Sequence, residues 1–191
     1  IVVDSIADKL LDALVARARG FRVGDGTRED VEIGPAVTAE QRDTVLSYLE
    51  IGQGEGAEQF YQADLGDLGP GHWLAPTIFD RVRPEMTLVR EETFGPVSPI
   101  LTFRDVDDAI RIANGTAYGL SSSVCTNRLD AIARFVAELD VGTVNVREVP
   151  GYRLELTPFG GIKDSGLGYK EGVQEAMKSF TNLKTYSLPW N

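Results

Sequence analysis

The stretch from residue 97 to residue 146 alternates between strand-like and helix-like segments that are joined by short turns. The strand-like segments are Val97–Phe103, Leu120–Cys125 and Val141–Val146, and the helix-like segments begin at Asp105 and at Asn127. Strands and helices that alternate with short joins form right-handed β-α-β units, which build parallel sheets. This pattern therefore predicts an α/β fold, namely a three-layer domain with a mostly parallel sheet.

The residues before this stretch add two helices and a strand. One helix is predicted from Asp4-Ser5 to Gly20, and Thr38-Ala39-Glu40-Gln41 is a capping box that opens a second helix. Ile1-Val2-Val3 has the apolar character of a buried strand, whereas chain ends are usually polar, so we expect the sequence to begin inside a longer protein. The glycine-rich segment 52–56 lacks the spacing of a phosphate-binding fingerprint and is predicted to be a surface loop.

The C-terminal residues differ from the rest. Gly172 to Met177 suits a short helix, and the Thr and Tyr content of Phe180–Leu188 favours a strand. A strand that arrives last has a free edge to satisfy, and pairing with another subunit satisfies it. We therefore expect residues 1–178 to form the domain and residues 179–191 to form a C-terminal strand that makes contacts in a homo-oligomer.

Composition narrows the possible partners. The chain carries 19 Lys and Arg against 29 Asp and Glu, a net charge of −10, which disfavours nucleic acids and anionic membranes. No apolar run approaches the ~18 residues of a membrane span. One cysteine and one histidine can form neither a disulfide nor a thiol-rich zinc site. We expect no metal, a cytoplasmic location, a buried structural thiol at Cys125 and a structural role for His72.

The segment Glu91-Glu92-Thr93-Phe94-Gly95-Pro96-Val97 has the composition of a presented loop. Two carboxylates precede an aromatic residue and a rigid Gly-Pro turn. A carboxylate can accept hydrogen bonds from both hydroxyls of a ribose, and an aromatic ring can lie against a sugar or a nicotinamide. The plainer alternative is a solvated acidic turn with Phe94 in the core.

Two further motifs follow. Pro158-Phe159-Gly160-Gly161-Ile162-Lys163-Asp164-Ser165-Gly166 contains glycines that permit positive φ and close approach of the backbone, as a loop over a buried site requires. Read without that purpose, it is a tight turn between a strand and a helix. Asn114-Gly115-Thr116-Ala117-Tyr118-Gly119-Leu120 combines a helix stop with a turn into a strand.

In order and spacing these motifs resemble those of the aldehyde dehydrogenase superfamily, which carries E-E-x-F-G-P-V, N-x-x-x-Y-G-L and P-F-G-G-x-K-x-S-G. The resemblance covers essentially the whole chain, as a C-terminal part of the catalytic domain. It implies that Glu92 and Phe94 bind the nicotinamide ribose of NAD or NADP and that Phe159 lies near the aldehyde. The contacts that choose between NAD and NADP belong to a dinucleotide-binding domain upstream.

The same resemblance shows which chemical groups are missing. In the family a cysteine thiolate attacks the aldehyde, hydride passes to NAD(P)+, and water activated by a glutamate hydrolyses the thioester. The resemblance places that cysteine, in a G-Q-x-C segment, and that glutamate upstream of residue 1. Cys125 lies in a predicted strand, without a neighbouring base to lower its pKa, and is no substitute. We therefore assign no catalytic residue here and predict that these 191 residues alone turn over no aldehyde.

The loop between Asn145 and Phe159 carries the substrate clues. With the tail Met177–Asn182 it looks most like the phosphonoacetaldehyde dehydrogenase branch. Arg153 could pair bidentately with a phosphonate or carboxylate, or it could form a surface ion pair with Glu148 or Glu155. Arg147, the other predicted substrate-lining arginine, stands where many relatives carry an asparagine. Lactaldehyde and succinate semialdehyde are alternative substrates, and a non-catalytic binding or assembly module is an alternative function.

Overall fold

The computed structural model describes residues 1–189 and divides the chain into two compact units, Ile1–Ile112 and Ala113–Asn191. In residues 1–189 the helices are α1 Ala7–Ala18, α2 Ala39–Gly54, α3 Thr87–Arg90, α4 Val106–Ala113, α5 Leu129–Glu138 and α6 Val173–Ser179. The strands of the first unit are β1 Val2–Val3, β2 Glu58–Gln62, β3 Thr77–Asp80, β4 Val97–Pro99 and β5 Thr102–Phe103. Those of the second unit are β6 Tyr118–Gly119, β7 Ser121–Val124, β8 Thr143–Val146 and β9 Ile162–Lys163.

Strand β3 lies at the centre of the first unit. It pairs in parallel with β4, where Thr77 faces Val97, and antiparallel with β2 on its other side. Its first three residues are buried, and Phe79 is completely inaccessible to solvent. Strand β3 is not predicted by the sequence pattern, because four residues are too few to show a periodicity.

Two apolar clusters hold the first unit together. The larger one surrounds Phe79 and Met86 and includes Leu49 of α2 and Leu88 of α3. The smaller one packs Leu11 of α1 against Ile78, which points to the opposite face of β3 from Phe79 because side chains alternate along a strand. Both faces of β3 are therefore buried, as expected for a central strand of an α/β fold.

The predicted β-α-β unit is present in the second unit. Strands β7 and β8 run parallel in the register Ser121 to Thr143 through Val124 to Val146, and α5 connects them. A second, antiparallel pair joins β6 to β9, where Tyr118 faces Lys163. The N-terminal strand is also confirmed, since β1 pairs in parallel with β5 and Val2 is buried.

Several predicted boundaries were wrong for steric or pairing reasons. The segment 97–103 divides into two strands, because β4 pairs with β3 whereas β5 pairs with β1. Gly52 and Gly54 lie in the last turn of α2 and not in a surface loop. A Cβ atom on Gly52 would lie 2.3 Å from Cδ1 of Leu88, so this glycine allows α2 to approach α3 closely.

Within residues 180–189 the predicted C-terminal strand is not formed. Residues 180–189 follow α6 without any strand pairing, while Trp190 and Asn191 lie outside the described residues. A strand needs a neighbouring edge to bond to, and none is taken up here. Within residues 1–189, no helix is both long and apolar enough to cross a membrane.

Candidate functional site

The loop that carries Glu92 and Phe94 joins α3 to β4 in the first unit. Phe94 is 76% exposed and its backbone lies in the left-handed region, with φ 50°. This conformation is uncommon for an aromatic residue, and non-glycine residues in it often occur at functional sites. The core position that was the alternative prediction for Phe94 is therefore wrong.

Contacts on both sides hold this loop in place. The amide of Thr77, at the start of β3, donates to the carbonyl of Pro96 at 2.9 Å. The side-chain amide of Gln41 in α2 donates to the carbonyl of Phe94 at 3.3 Å. Gly95 lies against Val45 of α2 so closely that an added Cβ would be 2.6 Å from its Cγ1. The ring of Phe94 is thus presented by a backbone that is fixed from two directions.

A groove of about 650 Å³ opens beside Phe94. Its other lining residues come from the turn before α2, from the start of that helix, from Leu74 and from the Gly-Pro turn: Ile33, Gly34, Pro35, Ala36, Val37, Thr38, Gln41, Leu74, Gly95 and Pro96. Thr38 caps α2 as predicted, since its hydroxyl accepts a hydrogen bond from the amide of Gln41 at 3.1 Å. The sequence pattern marks Gln41 only as part of this capping box, because its proximity to Phe94 depends on tertiary packing.

The two glutamates of the loop have different surroundings. Glu91 accepts a hydrogen bond of 2.7 Å from the hydroxyl of Tyr48, so its carboxylate is bound to α2. Glu92 is exposed, and within residues 1–189 its carboxylate has no hydrogen bond or ion pair. A carboxylate without protein partners keeps its acceptor sites available for a ligand.

The second and third motifs dock on each other in the second unit. The amide of Asp164 donates to the carbonyl of Ala117 at 3.0 Å, and the amide of Gly119 donates to the hydroxyl of Ser165 at 2.9 Å. The backbone approaches itself closely here, because a Cβ on Gly160 would lie 2.1 Å from the carbonyl oxygen of Gly168. The close approach expected of the glycines is confirmed for the pair that follows Phe159.

Phe159 and Arg153 lie together in this unit. The guanidinium of Arg153 is 4.8 Å from the centre of the Phe159 ring, a cation–π contact. The same guanidinium pairs with the carboxylate of Glu171, and neither of the nearby acidic residues first considered is its partner. Glu171 and Phe159 also exchange two backbone hydrogen bonds of 3.1 Å, which brings the ion pair to the ring.

Arg147 is placed differently. It follows β8 directly, with φ 58°, and its amide donates to the carbonyl of Val124 at 2.8 Å. The next residues form a loop that Asn145 ties together by donating to the carbonyls of Val149, Pro150 and Tyr152. The structure thus brings Arg153 to Phe159, whereas it gives Arg147 no side-chain hydrogen bond within residues 1–189.

The comparisons with known proteins decide the family. The model of the aldehyde dehydrogenase family matches residues 1–186. The chain belongs to the aldehyde dehydrogenase family.

Individual aldehyde dehydrogenases show how much of the family's length is present. The chain is 35% identical over 189 residues to α-ketoglutaric semialdehyde dehydrogenase of Bacillus subtilis, covering 97% of this chain and 38% of that enzyme. It is 35% identical over 181 residues to sulfoacetaldehyde dehydrogenase of Neptuniibacter caesariensis, covering 95% of this chain and 39% of that enzyme. The chain therefore spans about two fifths of the length of these relatives.

A solved aldehyde dehydrogenase has the same fold. The crystal structure of betaine aldehyde dehydrogenase from Staphylococcus aureus in complex with NAD+ superposes with a TM-score of 0.86 at 32% identity, over 93% of this chain and 36% of that one. The predicted α/β fold is thereby confirmed, and most strand pairings in it are parallel.

The prediction that Cys125 is a buried thiol was wrong. It lies one residue beyond the last paired residue of β7, where the chain turns toward α5, and it is exposed. His72 is half-buried, and its Nδ1 atom is buried without a hydrogen-bond partner in the described part of the chain. Among residues 1–189, no group of three or more His, Cys, Asp or Glu is placed to hold a metal ion.

Proposed function

We propose that this chain is the C-terminal part of the catalytic domain of an NAD(P)-dependent enzyme that oxidises an aldehyde to an acid. The observation that carries the proposal is the presentation of Phe94, which is 76% exposed at φ 50° beside a groove of about 650 Å³. Nothing in folding requires an exposed aromatic ring in this conformation, whereas a planar ligand gains contact from it.

The residues present fit the nicotinamide ribose of the cofactor. The free carboxylate of Glu92 suits ribose hydroxyls, because a carboxylate accepts hydrogen bonds without donating any. The ring of Phe94 offers an apolar face to the sugar or the nicotinamide, and Gln41 adds a side-chain amide in the same groove. When bound, the cofactor accepts the hydride of the aldehyde. The role of this chain is to orient the nicotinamide ribose and to exclude water from one side of the bound cofactor.

The nucleophile and the general base of the proposed reaction are not assigned to any residue of this chain. The only cysteine, Cys125, follows a strand end and has no hydrogen bond or ion pair within the described residues. A reactive thiolate needs a positive neighbour or a base. We therefore propose that both groups come from polypeptide outside these 191 residues and that the isolated chain produces no NADH.

The cofactor role is tested by substitution in the complete enzyme that contains this chain. Loss of a hydrogen bond to a charged group costs about 1.5–3 kcal/mol, so Glu92→Gln should raise the KM for the cofactor roughly 10-fold to 100-fold. Phe94→Ala should have an effect in the same direction. The matched control is Glu91→Gln, because that carboxylate is already bound to Tyr48. Unchanged KM values for the cofactor in both Glu92→Gln and Phe94→Ala would refute the cofactor role. NADH production by the purified 191-residue chain would refute the proposal that the nucleophile and the general base lie outside it.

For the substrate we propose an aldehyde with an anionic group, with phosphonoacetaldehyde as the first candidate. Arg153 supports this class because a guanidinium recognises phosphonate, sulfonate or carboxylate oxygens in a bidentate manner. Phe159 supplies an apolar surface next to it, 4.8 Å from the guanidinium. Two relatives are named for aldehydes that carry an anionic group, α-ketoglutaric semialdehyde and sulfoacetaldehyde, which supports this class of substrate.

A panel of aldehydes tests this specificity in the complete enzyme. Arg153→Met should lower kcat/KM for an anionic aldehyde by about 10-fold or more and leave an uncharged aldehyde of similar length nearly unaffected. Arg128→Met is the control, since Arg128 is also an exposed arginine that pairs with a carboxylate, that of Asp130. If Arg153→Met lowers kcat/KM equally for charged and uncharged aldehydes, Arg153 does not recognise the anionic group. If the wild-type enzyme prefers succinate semialdehyde, the anionic group of the substrate is a carboxylate and not a phosphonate.

We also propose that the C-terminal segment pairs with a second copy of the chain. Phe180 is 89% exposed and Leu183 is 98% exposed, while residues 180–189 have no strand partner of their own. Apolar side chains on an unpaired segment are typical of an interface. A deletion of residues 180–191 that leaves the oligomeric state unchanged in analytical ultracentrifugation would refute this.

A further inference from the structure

The side chain of Lys163 ends among backbone carbonyls. Its ammonium donates to the carbonyl of Asn114 at 3.1 Å, to that of Thr116 at 3.0 Å and to that of Tyr118 at 3.4 Å. An ammonium group has three hydrogens to donate, so this arrangement uses its full capacity. Within residues 1–189, Lys163 has no ion pair with a carboxylate.

The position of these carbonyls explains why they take a cation. Asn114 and Thr116 lie in the turn that follows α4, and Tyr118 is the first residue of β6. A backbone carbonyl has two lone pairs to satisfy, so three carbonyls that converge favour a group with several N–H donors, such as an ammonium. The alternating residues 114, 116 and 118 direct their carbonyls toward one ammonium group and form a three-carbonyl cradle.

The backbone of Lys163 is also in an unusual conformation. Its φ of 51° lies in the left-handed region, which costs free energy for any residue except glycine. Glycine or asparagine is the residue usually found in this conformation. A lysine there implies that its side chain stabilises the turn enough to offset the strain.

The cradle is connected to Phe159 through short backbone links. Lys163 lies in β9, which pairs with β6 at Tyr118. Gly161, two residues before Lys163, accepts a hydrogen bond of 3.1 Å from the amide of Gly168. Phe159 in turn exchanges hydrogen bonds with Glu171, at the end of the same loop. The segment 159–171 is therefore closed on itself and fixed to the turn 114–118 at the Lys163 end.

We propose that Lys163 is a positioning residue: its ammonium fills the three-carbonyl cradle as a tethered cation and thereby fixes the loop that carries Phe159. The inference rests on the proposed function in one respect, that Phe159 lines the aldehyde side. The cradle itself does not depend on any activity. Removal of the ammonium takes the lysine donor from all three carbonyls, of which that of Tyr118 keeps the hydroxyl of Thr116 at 3.4 Å. A small primary ammonium ion from solution can take the place of the lysine.

The experiment uses the complete enzyme that contains this chain, with 4-fluorophenylalanine incorporated at position 159 and observed by ¹⁹F NMR. The variants are Lys163→Ala, Lys163→Met, which keeps most of the apolar side chain without the donors, and Lys163→Arg, which keeps the donors. Hydrogen exchange of the peptide 159–171, followed by mass spectrometry, gives a second measurement. We expect Lys163→Met and Lys163→Ala to shift or broaden the ¹⁹F signal and to accelerate exchange roughly tenfold, and Lys163→Arg to retain most of the wild-type behaviour.

Chemical rescue separates a tethered cation from simple packing. Propylammonium chloride should restore the ¹⁹F signal of Lys163→Ala, whereas tetramethylammonium chloride at the same ionic strength should not, because it has no N–H to donate. Wild-type behaviour of Lys163→Met, or equal rescue by both salts, would overturn the proposal. If Lys163→Ala fails to fold by circular dichroism, the Met and Arg variants decide alone.

Activity then tests the dependence on the proposed function. In the complete enzyme, Lys163→Met should raise the KM for the aldehyde and leave the KM for the cofactor unchanged. A normal KM for the aldehyde together with a disturbed ¹⁹F signal would retain the cradle and refute the role of Phe159 at the aldehyde.

Discussion

Replacing Gly95 with alanine should destabilise the first unit through a single steric contact. The added Cβ would lie 2.6 Å from Cγ1 and 2.8 Å from Cγ2 of Val45, and 3.3 Å from its Cβ. Val45 is 1% exposed and lies in the middle of α2, where a β-branched side chain has essentially one rotamer. Val45 therefore cannot turn away, and α2 or the loop with Phe94 has to move.

The magnitude follows from the cost of overpacking. One extra methyl group in a close-packed site costs about 1–3 kcal/mol, and 1 kcal/mol shifts the Tm of a chain of this size by about 2–4 °C. Val45→Ala alone should cost roughly 2 kcal/mol, since it removes two buried methyl groups of about 0.8 kcal/mol each and leaves a small cavity. In the double variant the new methyl group fills the space of the old ones, so the two losses should not add. We expect a coupling of about 1–3 kcal/mol in the stabilising direction.

Urea unfolding followed by tryptophan fluorescence measures this. The chain has two tryptophans, so a Trp190→Phe background leaves Trp73, whose ring nitrogen donates to the carbonyl of Gly69 at 3.0 Å, as the reporter of the first unit. Gly26→Ala is the matched control, because an added Cβ there meets nothing within 4 Å. A Gly95→Ala variant as stable as the wild type, or strict additivity in the double variant, would refute the steric argument.

Two further predictions concern exposed side chains. The hydrogen bonds from Arg28 and then Arg22 lower the pKa of Asp30 from 3.8 to about 2, so its contribution to stability is complete above about pH 4 and is lost as the pH falls toward 2. Urea midpoints of the wild type and Asp30→Asn should therefore converge over that range, and a constant difference would contradict the ion-pair explanation. Cys125 is exposed and should react with Ellman's reagent in the native chain within roughly tenfold of its rate in the unfolded chain. A rate slowed a hundredfold or more would show that its thiol is protected.

Most of the helices could be predicted because their signals are local. The Thr38 capping box and the periodic apolar residues of α4 and α5 are read from neighbouring residues. The strand β3 and the short helix α3 were missed, since each has four residues and depends on packing around Phe79 for its stability. Short strands do not form without their partners, and a sequence does not state which partners those are.

For the candidate site too, the sequence predicts some features, whereas others depend on tertiary packing. The sequence by itself determined the candidates: residue type and the family resemblance predicted cofactor-binding Glu92 and Phe94 and substrate-lining Phe159, Arg153 and Arg147. Only the tertiary structure decided which of them are available, because availability depends on contacts between residues far apart in the chain. Tyr48 donates to Glu91, while Glu92 has no partner within residues 1–189. Glu171 pairs with Arg153 and holds its guanidinium at the ring of Phe159, and the carbonyls of residues 114, 116 and 118 accept from Lys163. Hydrogen-bond capacity is fixed by side-chain chemistry, whereas its use is settled only when the folded backbone brings the partners within reach.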